Sequence, residues 1–203
     1  MRIGMLGGTY DPIHNGHLML GKKFASLLEL DKILIIPTGT PPHKKASQTP
    51  ARRRLKMCRL AAKDLGELYE ASDIEIVRKG KSYSYLTLCE LHEKYPGSEF
   101  FLIMGADMFM TLETWYRFDD LKELATFCTV ARNDISTQEL EEYAKKLESL
   151  GCRCCVTDVE QVDISSTMIR EKISNGEPIT GFVPESVEKY ILKKRLYRKT
   201  GSK

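Results

Sequence analysis

The chain has 203 residues, 42% of them apolar and 29% charged, with a formal net charge of +3. That length suits one domain with a real core, and no apolar run approaches the roughly 20 residues of a membrane span. The charge is too small to argue for nucleic acid, which calls for a basic stripe with aromatics. The N-terminus enters a strand at once, so no signal peptide is expected and a cytoplasmic protein is.

The apolar run Ile3 to Leu6 reads as a first strand. Gly7-Gly8-Thr9-Tyr10-Asp11-Pro12-Ile13-His14-Asn15-Gly16-His17 follows it. Leu18 to Leu20 and Phe24 to Leu28 then recur as one apolar helix face. Strand, glycine-rich turn and helix start form a phosphate-binding layout. Glycine lets the backbone approach a ligand, and the first amides of a helix are unpaired at the positive end of its dipole. Asn15 is the expected cap, with His17 in the first turn. Spacing of i, i+3 also suits a metal, but no third ligand is adjacent and the glycines favour phosphate.

Lys32 to Ile36 is a continuous β-branched run, as in a parallel strand buried on both faces. Pro37 to Pro42 open a loop carrying His43, Lys44 and Lys45. Thr49 is read as the cap of a helix that begins at Pro50 and runs to about Leu65, with Leu55, Met57, Leu60 and Ala61 inward. Arg52 to Arg54 oppose the helix dipole and are read as a solvated face. Asp73 to Val77 reads as a strand. Ser82 or Ser84 starts a helix reaching Tyr95, with His92 an ordinary helix residue. Phe100 to Met104 is a buried strand, with Gly105-Ala106-Asp107 at its C-terminal end. Thr114-Trp115-Tyr116 lies in a loop-like segment. Phe118 to Leu124 is helical, Thr126 to Ala131 a strand ending at Arg132, and Thr137 to Leu150 an amphipathic helix. Cys152 to Val156 is a strand, with Cys152 and Cys154 on one face and Cys155 on the other. Asp163 to Arg170 opens another helix, Pro184 starts the last, and a basic tail follows from Lys193.

Six cysteines are present. Cys58, Cys89 and Cys128 sit in apolar patterns as small core residues. Cys152, Cys154 and Cys155 lack the paired spacing of a zinc site and are read as structural thiols. Strands alternating with helices predict a doubly wound parallel α/β sheet with right-handed crossovers. Ligands of such folds bind beyond the C-terminal strand ends. Gly7 to His17, Thr38 to Lys45, Gly105 to Asp107 and Arg132 all fall there.

The sequence has neither GxxxxGK[ST] nor GxGxxG. It does have Gly7 to His17 early and Ile164-Ser165-Ser166-Thr167-Met168-Ile169-Arg170 late, about 150 residues apart. These resemble the HxGH-type and SSTxxR-type motifs of the nucleotidylyltransferase superfamily. Pro41-Pro42-His43-Lys44, Gly105-Ala106-Asp107, Thr114-Trp115-Tyr116 and Val183 to Ile191 are similar to one branch, the bacterial nicotinate-mononucleotide adenylyltransferases. The resemblance spans nearly the whole chain. Ser82-Tyr83-Ser84 departs from the more usual Ser-Tyr-Thr, and Tyr10 stands where Phe is also common.

The resemblance implies a Rossmann-like nucleotidylyltransferase domain over residues 1–203, its C-terminal helical portion, roughly 163–203, completing an ATP site. The implied reaction joins ATP and nicotinate mononucleotide into nicotinate adenine dinucleotide and pyrophosphate, in NAD synthesis. His14, His17 and Arg170 would act on the ATP phosphates, with Ser165 and Ser166 beside them. Gly7, Gly8, Gly105 and Asp107 would also serve ATP, Asp107 accepting from a ribose hydroxyl. Thr9 and Tyr10 (through their amides), Lys44, Ser84, Trp115, Tyr116 and Arg132 would serve the mononucleotide, Trp115 stacking on its ring. Magnesium would arrive with ATP, without a dedicated protein metal site or tightly bound cofactor. Neither nucleic acid nor membrane is an expected partner, and self-association is compatible with the sequence. The weighed alternatives are the amide mononucleotide, another phosphate acceptor such as phosphopantetheine, and a non-catalytic nucleotide sensor.

Overall fold

The computed structural model describes residues 1–41, 47, 49–131, 135–158 and 164–198. The readings placed on Pro42, His43, Lys44, Lys45, Arg132 and Asp163 lie outside the described residues.

Six parallel strands form one sheet in the order β3-β2-β1-β4-β5-β6. They are β1 (Arg2–Gly8), β2 (Lys32–Pro37), β3 (Tyr69–Ala71), β4 (Glu99–Gly105), β5 (Thr126–Val130) and β6 (Arg153–Thr157). Strand order turns back between β1 and β4, the doubly wound arrangement of the Rossmann fold. Alternation sends successive residues to opposite faces, so the sheet carries two cores. Leu6, Ile33, Ile35, Phe101 and Ile103 pack with α1 (Asn15–Leu27), α2 (Ala51–Leu65), α8 (Ser166–Ser174) and α9 (Glu185–Lys194). Ile3, Met5, Leu34, Phe100 and Leu102 pack with α4 (Ser84–Lys94), α5 (Ala106–Phe109), α6 (Phe118–Leu124) and α7 (Thr137–Ser149). Each fully buried aliphatic or aromatic side chain is worth about 1.5–3 kcal/mol, so both faces hold the sheet firmly. Cys154 joins one core and Cys155 the other, as the alternation predicts.

Several expectations need correcting. The segment Asp73 to Val77 is not a strand: β3 lies earlier, pairing Ile33 with Tyr69 and Ile35 with Ala71, and Ile74–Val77 forms the short helix α3. The β-branched composition misled because pairing at this sheet edge selects the less apolar Tyr69-Glu70-Ala71. Helix α2 begins at Ala51 with Pro50 as its cap, one residue later than read. Pro184 likewise caps α9, and Tyr83 caps α4. Leu27 is 49% exposed at the C-terminal end of α1. The expected basic tail instead turns back after α9. Arg195 and Tyr197 adopt left-handed backbone, Leu196 is buried, and the Tyr197 hydroxyl donates to Asp11 Oδ1 at 2.6 Å.

Candidate active site

The sheet itself opens the site. Pairing of β1 with β4 stops at Leu6 and Ile103. β1 continues with β2 to the Gly8–Pro37 pair, and β4 continues with β5 to the Gly105–Val130 pair. The two central strands therefore part beyond Leu6 and Ile103, which creates a crevice at the reversal point, where doubly wound folds bind ligands. Gly7 and Gly8 form one lip and Gly105 the other. A Cβ on Gly105 would meet nothing within 4 Å, whereas one on Gly8 would fall 2.8 Å from the Tyr10 ring. Gly8 is thus fixed by packing, while Gly105 borders open space.

Tyr10 sits at φ +52°, the left-handed region that a non-glycine residue occupies only when held there. The residue as a whole is 2% exposed, and its hydroxyl donates to the Leu6 carbonyl at 2.8 Å. The side chain is therefore a strut under the loop.

His14, not Asn15, caps α1. Asn15 turns outward instead, its Nδ2 donating to the Gly181 carbonyl at 2.8 Å and its backbone N–H to Phe182 at 2.9 Å. His17 keeps its predicted place in the first turn. Its Nδ1 accepts the His14 backbone N–H at 3.2 Å. An accepting Nδ1 puts the ring proton of a neutral imidazole on Nε2, so that edge of His17 is a donor. The His14 and His17 rings stack with centroids 3.5 Å apart, and Tyr10 meets His17 edge-on at 5.0 Å. Two imidazoles and a helix N-terminus thus converge at the turn.

The late motif closes on this turn. Ser165 caps α8 by accepting the Met168 N–H at 3.1 Å. Ser166 Oγ donates to the Pro12 carbonyl at 2.8 Å. One helical turn on, Arg170 Nη1 donates to the Asp11 carbonyl at 2.8 Å and Nη2 to Thr167 Oγ1 at 3.1 Å. These bonds take two of the five N–H donors a guanidinium carries. Ser166 and Arg170 share a helix face, as the i, i+4 spacing requires. The Asp11 side chain is held as well, Ser47 Oγ donating to Oδ2 at 2.5 Å and Tyr197 to Oδ1. Burial and the Asp11 hydrogen bond push the Tyr197 hydroxyl well above the usual tyrosine range, so it remains a donor.

A second set of residues flanks the crevice. Asp107 is exposed in the first turn of α5, beyond Gly105. Ser84 opens α4. Tyr116 stacks on Tyr83 at 4.3 Å and meets Tyr85 edge-on at 6.3 Å, which brings the Trp115–Tyr116 segment to the start of α4. Trp115 is half-buried, its Nε1 donating to Thr111 Oγ1 at 3.4 Å. Ser82 links this set to the sheet by accepting the Gly39 and Thr40 N–H groups at 3.0 and 3.2 Å. Gly39 approaches the Glu75 backbone so closely that any Cβ would collide with that carbonyl. Glu75 is 6% exposed and accepts from Thr87 Oγ1 at 2.9 Å. Burial raises its pKa, partly offset by the hydrogen bonds of Thr87 and Ser82.

The run Arg52 to Arg54 is not wholly the solvated face expected of it. Arg52 and Arg53 are exposed, but Arg54 is 3% exposed. It donates to the Thr9, Thr38 and Thr49 carbonyls. The sequence held a signal for this, because residues 54, 57, 58 and 61 trace one helical stripe and all four are buried. Tyr197 and Ser47 had no such signal, since their partner Asp11 is distant in sequence.

Among the described residues no group of three or more His, Cys, Asp or Glu is placed to hold a metal, and no helix is long and apolar enough to cross a membrane.

Residues 5–172 match the family described as cytidylyltransferase-like. A protein of Desulfitobacterium hafniense (strain Y51) named "Probable nicotinate-nucleotide adenylyltransferase" is 41% identical over 199 residues, covering 97% of this chain and 96% of that one. Its namesake in Oceanobacillus iheyensis is 40% identical over 195 residues, covering 96% of each chain. Among solved structures, the Plasmodium falciparum nicotinic acid mononucleotide adenylyltransferase complexed with NaAD superposes with a TM-score of 0.76. It is 19% identical over 97% of both chains, a likeness of fold.

Proposed function

The chain belongs to the cytidylyltransferase-like family, and from that premise we propose that it is a nicotinate-nucleotide adenylyltransferase of NAD biosynthesis. It transfers the adenylyl group of ATP to the 5′-phosphate of nicotinate mononucleotide and releases pyrophosphate. The names of its full-length relatives support the substrate pair. The observation that carries the reading is the clasp of Ser166 and Arg170 on the Pro12 and Asp11 carbonyls. It joins both motifs at the crevice between β1 and β4.

The attacking phosphate is already ionised, so the reaction needs no general base and no protein nucleophile. One P–O bond forms at the α-phosphorus while the bond to the departing pyrophosphate breaks in line. Catalysis then consists of positioning and charge stabilisation. His17 donates from Nε2 to a triphosphate oxygen, supported by the amides at the start of α1. His14, stacked against it, lines the same side. Arg170 and the Ser165–Ser166 amides hold the triphosphate from α8. Gly7 and Gly8 let it approach, and Gly105 and Asp107 take the ribose side. Thr9 and Tyr10 amides face the acceptor phosphate. Ser84, Trp115 and Tyr116 form the ring site, with Lys44 and Arg132 adding positive charge. Magnesium supplies charge neutralisation when it arrives on ATP. The crevice donors are imidazole, guanidinium, hydroxyl and amide groups, which suit phosphate oxygens, so phosphates and water would hold the ion.

Initial rates of pyrophosphate release with ATP and each of nicotinate mononucleotide, nicotinamide mononucleotide and phosphopantetheine test the proposal. The acid is expected to react fastest, because a ring carboxylate gains charge-assisted hydrogen bonds. Equal or better rates with either competitor refute the assignment.

A further inference from the structure

Arg54 sits outside the residues that would touch substrate, yet three backbone segments of the crevice converge on it. Nη1 donates to the Thr9 carbonyl at 2.6 Å, Nη2 to Thr38 at 2.7 Å and Nε to Thr49 at 3.2 Å. Thr9 follows β1, Thr38 follows β2 and Thr49 leads into α2. The geometry points to Arg54 as a positioning residue for the acceptor phosphate: it draws the Thr9 carbonyl inward and thereby turns the Tyr10 amide toward the crevice.

The step from carbonyl to amide follows from the peptide plane. Thr9 C=O and Tyr10 N–H belong to one trans peptide and point in opposite directions. A carbonyl fixed on the buried guanidinium therefore presents its amide to the other side. Tyr10 sits at φ +52°, and left-handed residues in turns make the amide concavities that bind anions. That conformation is unfavourable for a side chain as large as tyrosine, so it must be held. The Tyr10 hydroxyl on Leu6 holds it from the ring end, and Arg54 holds it from the peptide end.

Burying a guanidinium is expensive, and burial lowers the Arg54 pKa while the nearby Asp11 carboxylate opposes that shift. A planar fork can serve three carbonyls at once, whereas a lysine ammonium acts as a compact point charge. Arg54→Lys therefore keeps the charge and loses the geometry.

This inference rests on the adenylyl-transfer reading, which the wild-type acceptor rates test separately. Arg54→Lys is compared with wild type by thermal melting and by steady-state kinetics on both substrates. The expected result is a 10- to 100-fold fall in kcat/KM for nicotinate mononucleotide, the scale of a misplacement near 1 Å. The KM for ATP is expected to stay within about threefold, because its phosphates lean on α1 and α8. Activity within twofold of wild type overturns the inference. So does a loss explained entirely by the unfolded fraction, or one accompanied by a rise in the KM for ATP of 10-fold or more. Should Arg54→Lys not fold, the readout is the Tyr10 amide resonance of the wild-type enzyme. It is expected to shift on saturation with nicotinate mononucleotide, and an unmoved resonance overturns the inference. Wild-type enzyme without turnover would instead sink the adenylyl-transfer reading, leaving the Tyr10 amide to be tested with inorganic phosphate.

Discussion

Gly105→Ala separates the crevice from the fold more cleanly than any other substitution. Gly105 caps α5 at φ −74°, ψ 159°, extended backbone that alanine adopts without strain. Its Cβ would meet no atom within 4 Å. Two small effects on stability oppose each other. Alanine stiffens the unfolded chain, a gain of about 0.4–1 kcal/mol, and is a poorer cap than glycine by a comparable amount, about 0.5–1 kcal/mol. The melting temperature should therefore move by no more than about 4 °C, since 1 kcal/mol corresponds to about 2–4 °C at this size. The new methyl does project into the space assigned to ATP. Displacing the nucleotide by about 1 Å costs up to about 100-fold. A 10- to 100-fold loss in kcat/KM for ATP is expected, equivalent to about 1.4–2.7 kcal/mol. Melting followed by fluorescence, with initial rates at varied ATP, reads both quantities on one preparation. Unchanged kinetics would refute the placement of nucleotide beside Gly105, and a large fall in stability would refute the open space.

His17→Ala removes the Nε2 donor and is expected to lower kcat by about 100- to 1,000-fold, the usual cost of one donor at developing charge; near-normal turnover in a folded variant contradicts the phosphate role. Trp115→Ala should raise the KM for the mononucleotide more than that for ATP, by the roughly 5- to 150-fold that a stacking loss of about 1–3 kcal/mol implies. A selective ATP effect would reassign the residue. Glu75→Gln tests the buried carboxyl. Its folded pKa is raised by burial, so above the unfolded value of about 4.3 the native state retains a proton that the unfolded chain has released. Stability then falls as pH rises through that window. Glutamine still offers an oxygen to Thr87 and cannot ionise, so the variant's melting temperature should gain on wild type from pH 4.5 to pH 7. A constant difference across that range would show that Glu75 titrates normally.

The strands of the fold were legible where burial on both faces leaves a continuous apolar run, as in Lys32 to Ile36 and Phe100 to Met104. β3 was not, because Tyr69 to Ala71 are only partly buried at a sheet edge and the neighbouring Ile74 to Val77 mimics a strand in composition. The two motifs were also legible, since glycine spacing and helix phase are local properties. Their mutual contact was not written in either motif. It depends on α8 folding back over 159 residues to set Arg170 on the Asp11 carbonyl. Arg54 was hidden by its neighbours: three arginines in a row suggest a solvated face, and only helical phase separates the inward one from the two outward. Tyr197 lay in a stretch that reads as a charged tail, and its bond to Asp11 spans 186 residues.

The central claim is that the two motifs form one adenylyl-transfer site with an adjoining ring pocket. A crystal structure with the dinucleotide product bound tests it most directly. The account predicts the product's linking phosphates between His17 Nε2 and Arg170. It places adenosine beside Gly105 and Asp107, and the nicotinate ring against Trp115 near Ser84 and Tyr116. Phosphates lying away from the Gly7 to His17 turn, or a nicotinate ring remote from Trp115, would contradict it.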